Sequence, residues 1–150
     1  MVASIDGIAL TFFHLGGLLV ALLNSISSEI DRFKTLIVED NALFRQMFKE
    51  TLQTLFPSMM IQEAAEGSDA LEKVDTFHPK LIFMDIHLPG ENGLQLTRRI
   101  KENYPDVAVI ILTSHDVLEY QEAARRCGAS CFLPKGSFSK AQIETLVKSV

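Results

Sequence analysis

The stretch Leu81 to Gly93, LIFMDIHLPGENG, runs apolar up to a single carboxylate, Asp85, and then turns. An aspartate in that place is a helix cap, a ligand or a nucleophile. Other polar residues stand at comparable points. FKTLIVED ends on Glu39 and Asp40, VAVIILTS ends on Thr113 and Ser114, and SCFLP is followed by Lys135. Brought to one place, the three carboxylates would repel one another strongly. A hard divalent cation relieves such repulsion, and Mg²⁺ takes oxygen ligands together with several waters. Lys135 would add a mobile positive charge. A metal and an ammonium around one carboxylate suit phosphoryl transfer, where positioning and charge neutralisation carry most of the catalysis. The carboxylate attacks and becomes an aspartyl phosphate.

The surrounding pattern predicts the elements that would make these ends converge. FKTLIVED is a β-rich run, and NALFRQMFKETLQTLF follows with Phe44, Phe48, Leu52 and Leu55 at helical spacing. That stripe reads as core packing, and Pro57 ends the helix. MMIQEAA is a second strand. Gly67 and Ser68 open a helix through Phe77 with Ala70, Leu71 and Val74 on one face, and Pro79 breaks it. KLIFMD is a third strand. GLQLTRRIKENY is a helix stopped by Pro105, with Arg98, Arg99 and Lys101 on a solvated face. VAVIILTS is the fourth and most apolar strand. DVLEYQEAARRCGA is a helix with Asp116 as its cap and Gly128 as its stop. In the fifth strand, SCFLP, Pro134 removes a ladder donor, which places the strand at a sheet edge. FSKAQIETLVKSV is the last helix, with Ile143, Leu146, Val147 and Val150 inward.

Strands alternating with helices predict an α/β, doubly wound parallel sheet with helices on both faces. The near-continuous apolar runs of the first, third and fourth strands predict burial on both sides. Ligands of such sheets sit at the carboxyl ends of the strands, beside the switch point. Glu39, Asp40, Asp85, Thr113 and Lys135 all fall there.

In order and at the expected separations, LIVEDN, LIFMDIHLPGENG, ILTSHD and FLPKGS resemble the receiver domain of bacterial two-component response regulators. The resemblance runs from about Lys34 to Val150. It implies a flavodoxin-like fold with strand order 2-1-3-4-5. It also implies that Asp85 is the phosphoacceptor and Asp40 a direct Mg²⁺ ligand. Glu39 would bind the metal mainly through water, and the backbone carbonyl of His87 would complete the site. Thr113 would hydrogen-bond the phosphoryl group, Lys135 would pair with it, and Phe132 would be the aromatic whose rotamer follows Thr113. His87 and His115 would flank the phosphoryl group and modulate its hydrolysis, and imidazole changes charge between about pH 5 and 8. The donor would be a histidine kinase or a phosphotransfer protein. The switching surface would comprise the fourth helix, fifth strand and fifth helix, a possible homodimer contact. Such a domain catalyses only its own phosphorylation and dephosphorylation.

The sequence departs from the family in two places. The acidic pair is Glu-Asp where Asp-Asp is common. Pro134 precedes Lys135 and Gly136 follows it, where the family often has a proline after the lysine, so a cis bond there is in doubt. Plainer roles also exist: caps for Asp40, Asp85, Thr113 and Ser114, core packing for Phe132, exposed loop positions for the two histidines. A receiver acting only as a binding module is opposed by the intact acids, Thr113 and Lys135.

The 150 residues, 47% hydrophobic and 22% charged, are enough for one domain with a sizeable core. A net charge of −5 gives no basic footprint for direct nucleic-acid binding by this chain. Cys127 and Cys131 read as small buried residues of a chain in a reducing cytoplasm. Residues 1–32 form a hydrophobic extension of uncertain role, and residues 33–150 the receiver domain. No formal charge occurs from Gly7 to Ser28, but the dense apolar part, Ile8 to Leu23, is shorter than the roughly 20 residues of a membrane span. Membrane association is expected only if residues 7–28 anchor; an extension without a role, or a packing or dimerisation helix, are the alternatives. With no output segment after the last helix, the chain is expected to be a stand-alone receiver or the receiver fragment of a longer helix-turn-helix DNA-binding regulator. A metal-dependent phosphohydrolase on a similar sheet is the rival enzyme class.

Overall fold

The computed structural model describes residues 15–26, 34–114 and 118–150, and the chain divides into two compact units, Met1–Arg32 and Phe33–Val150. In the first unit, residues 15–26 form a helix with exposed side chains throughout. No helix among the described residues is long and apolar enough to cross a membrane. The suggested anchor, residues 7–28, extends beyond the described residues.

The second unit begins with β1 (Lys34–Val38), α1 (Ala42–Leu55), β2 (Met60–Ala64), α2 (Gly67–Phe77) and β3 (Leu81–Asp85). A two-strand hairpin follows, pairing His87–Leu88 with Glu91–Asn92. The remainder is α3 (Gly93–Asn103), β4 (Ala108–Thr113), α4 (Leu118–Arg126), β5 (Cys131–Pro134) and α5 (Lys140–Lys148). The five longer strands form one parallel sheet in the order β2-β1-β3-β4-β5, as expected. Every residue of β3 and β4 is buried, because helices cover both faces. Among the described residues β5 lies at the edge, paired with β4, and Pro134 ends it opposite Thr113.

Alternation along the strands divides the core into two layers. On one face Ile37, Phe83, Ile110 and Leu112 meet Phe48 and Leu52 of α1 and Ile143 of α5. Phe48 is fully buried, edge-on to Phe83 at 4.8 Å and to Phe138 at 5.7 Å. On the other face Val38, Met84 and Ile111 meet Ala70, Val74, Leu96, Ile100 and Ala124 of α2, α3 and α4. Side chains fix the starts of α1, α3 and α5. Asn41 caps α1 by accepting from the Phe44 N–H at 3.0 Å, and Asn92 caps α3 by accepting from the Leu94 N–H at 2.8 Å. Ser139 and Gln142 form a reciprocal capping box on α5.

Some expectations need correction. Helix α5 stops at Lys148, so Val150 lies past its end and is exposed rather than inward. Lys101 does not simply face solvent, because its ammonium donates to the carbonyls of Pro105 and Val107, each at 2.7 Å, and so secures the turn after α3. Cys127 and Cys131, expected to be buried, are half-buried and pack on opposite faces of the sheet. No peptide bond among the described residues is cis. The expected cap of α4, Asp116, lies outside the described residues.

One glycine ties the sheet to α3. Gly93 is buried, its N–H donates to the Ile86 carbonyl at 2.8 Å, and a Cβ there would stand 1.8 Å from the Asp85 carbonyl oxygen. Helix propensity alone would favour Ala over Gly by about 1 kcal/mol. The obstructing atom is backbone, so it cannot swing aside, and overpacking costs roughly 1–3 kcal/mol or more. Gly93→Ala should therefore lower stability in urea unfolding and perturb the Asp85 amide resonance. A variant as stable as the parent would show that the junction can open freely.

Candidate functional site

The carboxyl ends of β1, β3, β4 and β5 meet at one edge of the sheet. Parallel register sets Asp85 opposite Leu112 and Thr113 opposite Pro134, while the Lys135 N–H continues the ladder to the Thr113 carbonyl at 2.7 Å. Glu39 extends the other side, its N–H donating to the Ala64 carbonyl at 2.9 Å. Sequence-distant residues are thus placed by backbone hydrogen bonds, and their side chains need only turn inward.

Glu39, Asp40 and Asp85 each bring an oxygen within 4.8 Å of the others. Glu39 is fully buried, Asp85 is 4% exposed, and Asp40 faces solvent. The Lys135 ammonium pairs with Glu39 Oε2 and lies 3.1 Å from Asp85 Oδ1. The Asn41 N–H donates to Glu39 Oε1 at 3.0 Å. Burial raises the Glu39 carboxyl above its ordinary 4.5; Lys135 and the Asn41 N–H pull it partly back, and the Asp85 charge pushes it up. When all three acids are ionised, Lys135 leaves two negative charges unbalanced, and these oxygens are the hard donors a small divalent cation takes.

Thr113 is fully buried at the end of β4, whereas Ser114 is exposed. Phe132 on β5 is half-buried and packs with Tyr120 and Ala123 of α4 against the core. His87 is exposed, with its ring edge-on to Tyr120 at 6.1 Å. Together with Asp40, Pro89 and Gln95 it lines an open groove beside the acids. The second histidine, His115, lies outside the described residues.

Two supports escaped the sequence reading. Arg45 Nη1 donates to the Glu39 carbonyl at 2.6 Å, and its Nε donates to Glu63 Oε1 at 3.3 Å. Lys49 also pairs with Glu63, at 2.7 Å. The loop bearing the two acids is therefore braced from α1 and β2. Phe44, expected only as core, also carries the Lys135 ammonium over its ring, 4.8 Å from the centroid. A helical side chain leans toward the N-terminus of its helix, so the first turn of α1 was the place to seek both.

A family model described as the response regulator receiver domain matches residues 35–148. The transcriptional regulatory protein DegU of Brevibacillus brevis is 33% identical over 116 residues, covering 77% of this chain and 49% of the relative. The oxygen regulatory protein NreC of Staphylococcus carnosus is 34% identical over 105 residues, covering 69% and 48%. The chain thus spans about half the length of the curated relatives it matches. Among solved structures, the signal receiver domain of a DNA-binding response regulator from Colwellia psychrerythraea superposes with a TM-score of 0.71 at 26% identity, covering 77% of this chain and 98% of that one. The receiver domain of NtrX from Brucella abortus gives 0.70 at 26% identity, with 77% and 95% covered. With its sheet order, its edge of acids and these relatives in agreement, the chain belongs to the response regulator receiver domain family.

Proposed function

We propose that residues 33–150 take a phosphoryl group from a histidine kinase or phosphotransfer protein onto Asp85 in a Mg²⁺-dependent reaction, with residues 1–32 as an extension outside that chemistry. The observation that carries this reading is the cluster of Glu39, Asp40 and Asp85 with Lys135 on two of its carboxylates. The donor set fits the cation: three hard oxygens with more negative charge than the ammonium balances. Asp40 and Asp85 would hold Mg²⁺ directly, Glu39 mainly through water, and the His87 carbonyl would complete the set. When bound, the ion neutralises the acids and the charge of the transferring group. An Asp85 carboxylate oxygen forms the new O–P bond as the donor's N–P bond breaks, and the donor imidazole leaves with the bonding pair. Lys135 turns from its ion pair with Asp85 to a phosphoryl oxygen, and the Thr113 hydroxyl donates to another. Phe132 follows Thr113, which biases the surface of α4, β5 and α5 toward a partner or a second copy.

The domain would act on no substrate beyond its own phosphate, and its half-buried free thiols fit a cytoplasmic setting. The names of the relatives favour one second reading, that the chain is the receiver portion of a longer DNA-binding regulator. A metal-dependent phosphohydrolase would release free phosphate rather than keep an adduct.

Incubation with acetyl phosphate and Mg²⁺, followed by intact mass, should give a single phosphate adduct. Asp85→Asn should abolish it while leaving the fold intact, and stability should rise because like-charge repulsion at the edge is relieved. Phosphorylation of Asp85→Asn at parental rate would move the acceptor elsewhere.

The raised Glu39 carboxyl sets a pH dependence for the metal. In the metal-free protein Glu39 contributes stability that is complete below pH 4.5 and is lost as pH rises through its raised folded value. A cation binds the ionised form and therefore acts with the opposite sign. The rise in unfolding temperature caused by Mg²⁺ should be small at pH 4.5 and grow toward neutral pH, with a weaker pH dependence in Glu39→Gln. An equal Mg²⁺ effect across that range in the parent would remove Glu39 from the metal site.

A further inference from the structure

We propose that Phe44 is a positioning residue for phosphoryl acceptance, its ring face holding the Lys135 ammonium beside Asp85. The inference rests on the receiver reading above. Among the described residues, three groups surround that ammonium: Glu39 Oε2, Asp85 Oδ1 at 3.1 Å, and the Phe44 ring at 4.8 Å. Lysine has a long flexible stem and three donors, so ordering it needs contacts on more than one side. The two carboxylates take it from the sheet edge. The ring takes it from α1, with the negative face of the π system toward the charge.

The ring itself is held in place. It stacks on Phe48 at 5.7 Å with planes 12° apart, and Phe48 is locked in the core between Phe83 and Phe138. Chemistry gives this contact a role the carboxylates cannot fill. Phosphorylation converts Asp85, and a cation drawn to Glu39 weakens its pairing with the lysine. Both anionic contacts therefore change during the reaction. The ring is the neutral one, so it neither competes for the cation nor alters when the phosphate arrives. Phe44 keeps the ammonium at the reacting oxygens while its partners exchange.

The test compares the parent with Phe44→Leu, Phe44→Tyr, and a chain carrying a trifluorinated phenylalanine at this one position. Leu keeps apolar packing without a π face. The fluorinated ring keeps shape and drains the face of negative charge. Thermal unfolding reports whether each variant folds. The first readout needs no phosphate: the Lys135 side-chain proton resonances, shielded by the ring in the parent, should move downfield in Phe44→Leu. The second is the rate of acceptance from acetyl phosphate with Mg²⁺. It should fall roughly two- to fivefold in Phe44→Leu, the range of an ordinary cation–π contact, less in the fluorinated protein, and be largely retained in Phe44→Tyr. Mg²⁺ affinity should stay at the parental value in all three. Unmoved Lys135 resonances in Phe44→Leu, or equal rates in the parent, Phe44→Leu and the fluorinated protein, would overturn the proposal. A parent that takes no phosphate would sink the phosphoacceptor proposal and with it the role in acceptance, while the resonance shift would still establish or remove the contact.

Discussion

Among the described residues, one ammonium set against three carboxylates is the constraint on which this fold turns. Glu39 is fully buried and Asp85 nearly so, and ionised groups that leave water lose solvation worth several kcal/mol each. Lys135 offsets part of that cost by pairing with both. It does not balance the charge, and burial lifts the Glu39 carboxyl accordingly. An edge of this kind persists only if stronger forces hold its parts together. Here those forces come from the apolar strands behind it. All residues of β3 and β4 are buried, and the polar residues stand where the strands end.

Backbone bonds transmit that hold to the charged side chains. The Glu39 N–H joins the Ala64 carbonyl and the Lys135 N–H joins the Thr113 carbonyl, so neither acid nor base can retreat without breaking a sheet ladder. From α1, Arg45 fixes the Glu39 carbonyl while Glu63 of β2 fixes Arg45. At the opposite side Gly93 lets α3 begin against the Asp85 backbone. The repulsion among the acids is therefore contained by neutral and oppositely charged partners on four elements. None of these braces occupies the outward side, where Asp40 and the groove beside it meet solvent.

Most of the frame could be read from the sequence, because its information is local. The apolar runs LIFM and VIIL mark central strands, Pro134 marks an edge, and helical spacing from Phe48 to Leu52 marks a packed face. Placing Glu39, Asp85, Thr113 and Lys135 together required only that parallel strands end on the same side. What stayed hidden depends on side-chain reach across elements. Glu63 reads as an ordinary strand residue until β2 pairs with β1 and brings it beneath Arg45 and Lys49. Phe44 follows the periodicity of a core stripe, and only its place in the first turn of α1, level with the strand ends, brings its ring to Lys135. Lys101 looks like a solvated charge because its partners are main-chain carbonyls, which no side-chain pattern announces. Val150 kept the spacing of an inward position, but spacing cannot say where α5 stops.

The two faces of the sheet differ in a way that suits the proposed switch. Behind α1 and α5 the core is aromatic and tightly interlocked, Phe48 being gripped between Phe83 and Phe138 with no exposure. Moving such a ring would open a void or force strain, each costing on the order of 1–5 kcal/mol. This face carries Phe44, whose ring lies beneath the Lys135 ammonium. Behind α4 the layer ends in half-buried rings, Phe132 and Tyr120, with His87 edge-on to the latter. Such a ring trades contact for solvent at smaller cost than the fully buried Phe48, whereas Phe44, half-buried as well, is stacked on Phe48 at 5.7 Å. A charge added at Asp85, as proposed, would thus meet an interlocked wall on one side and a more adjustable one on the other. In the proposed switch its effect would be channelled toward α4 and β5 by the packing itself, before any partner binds.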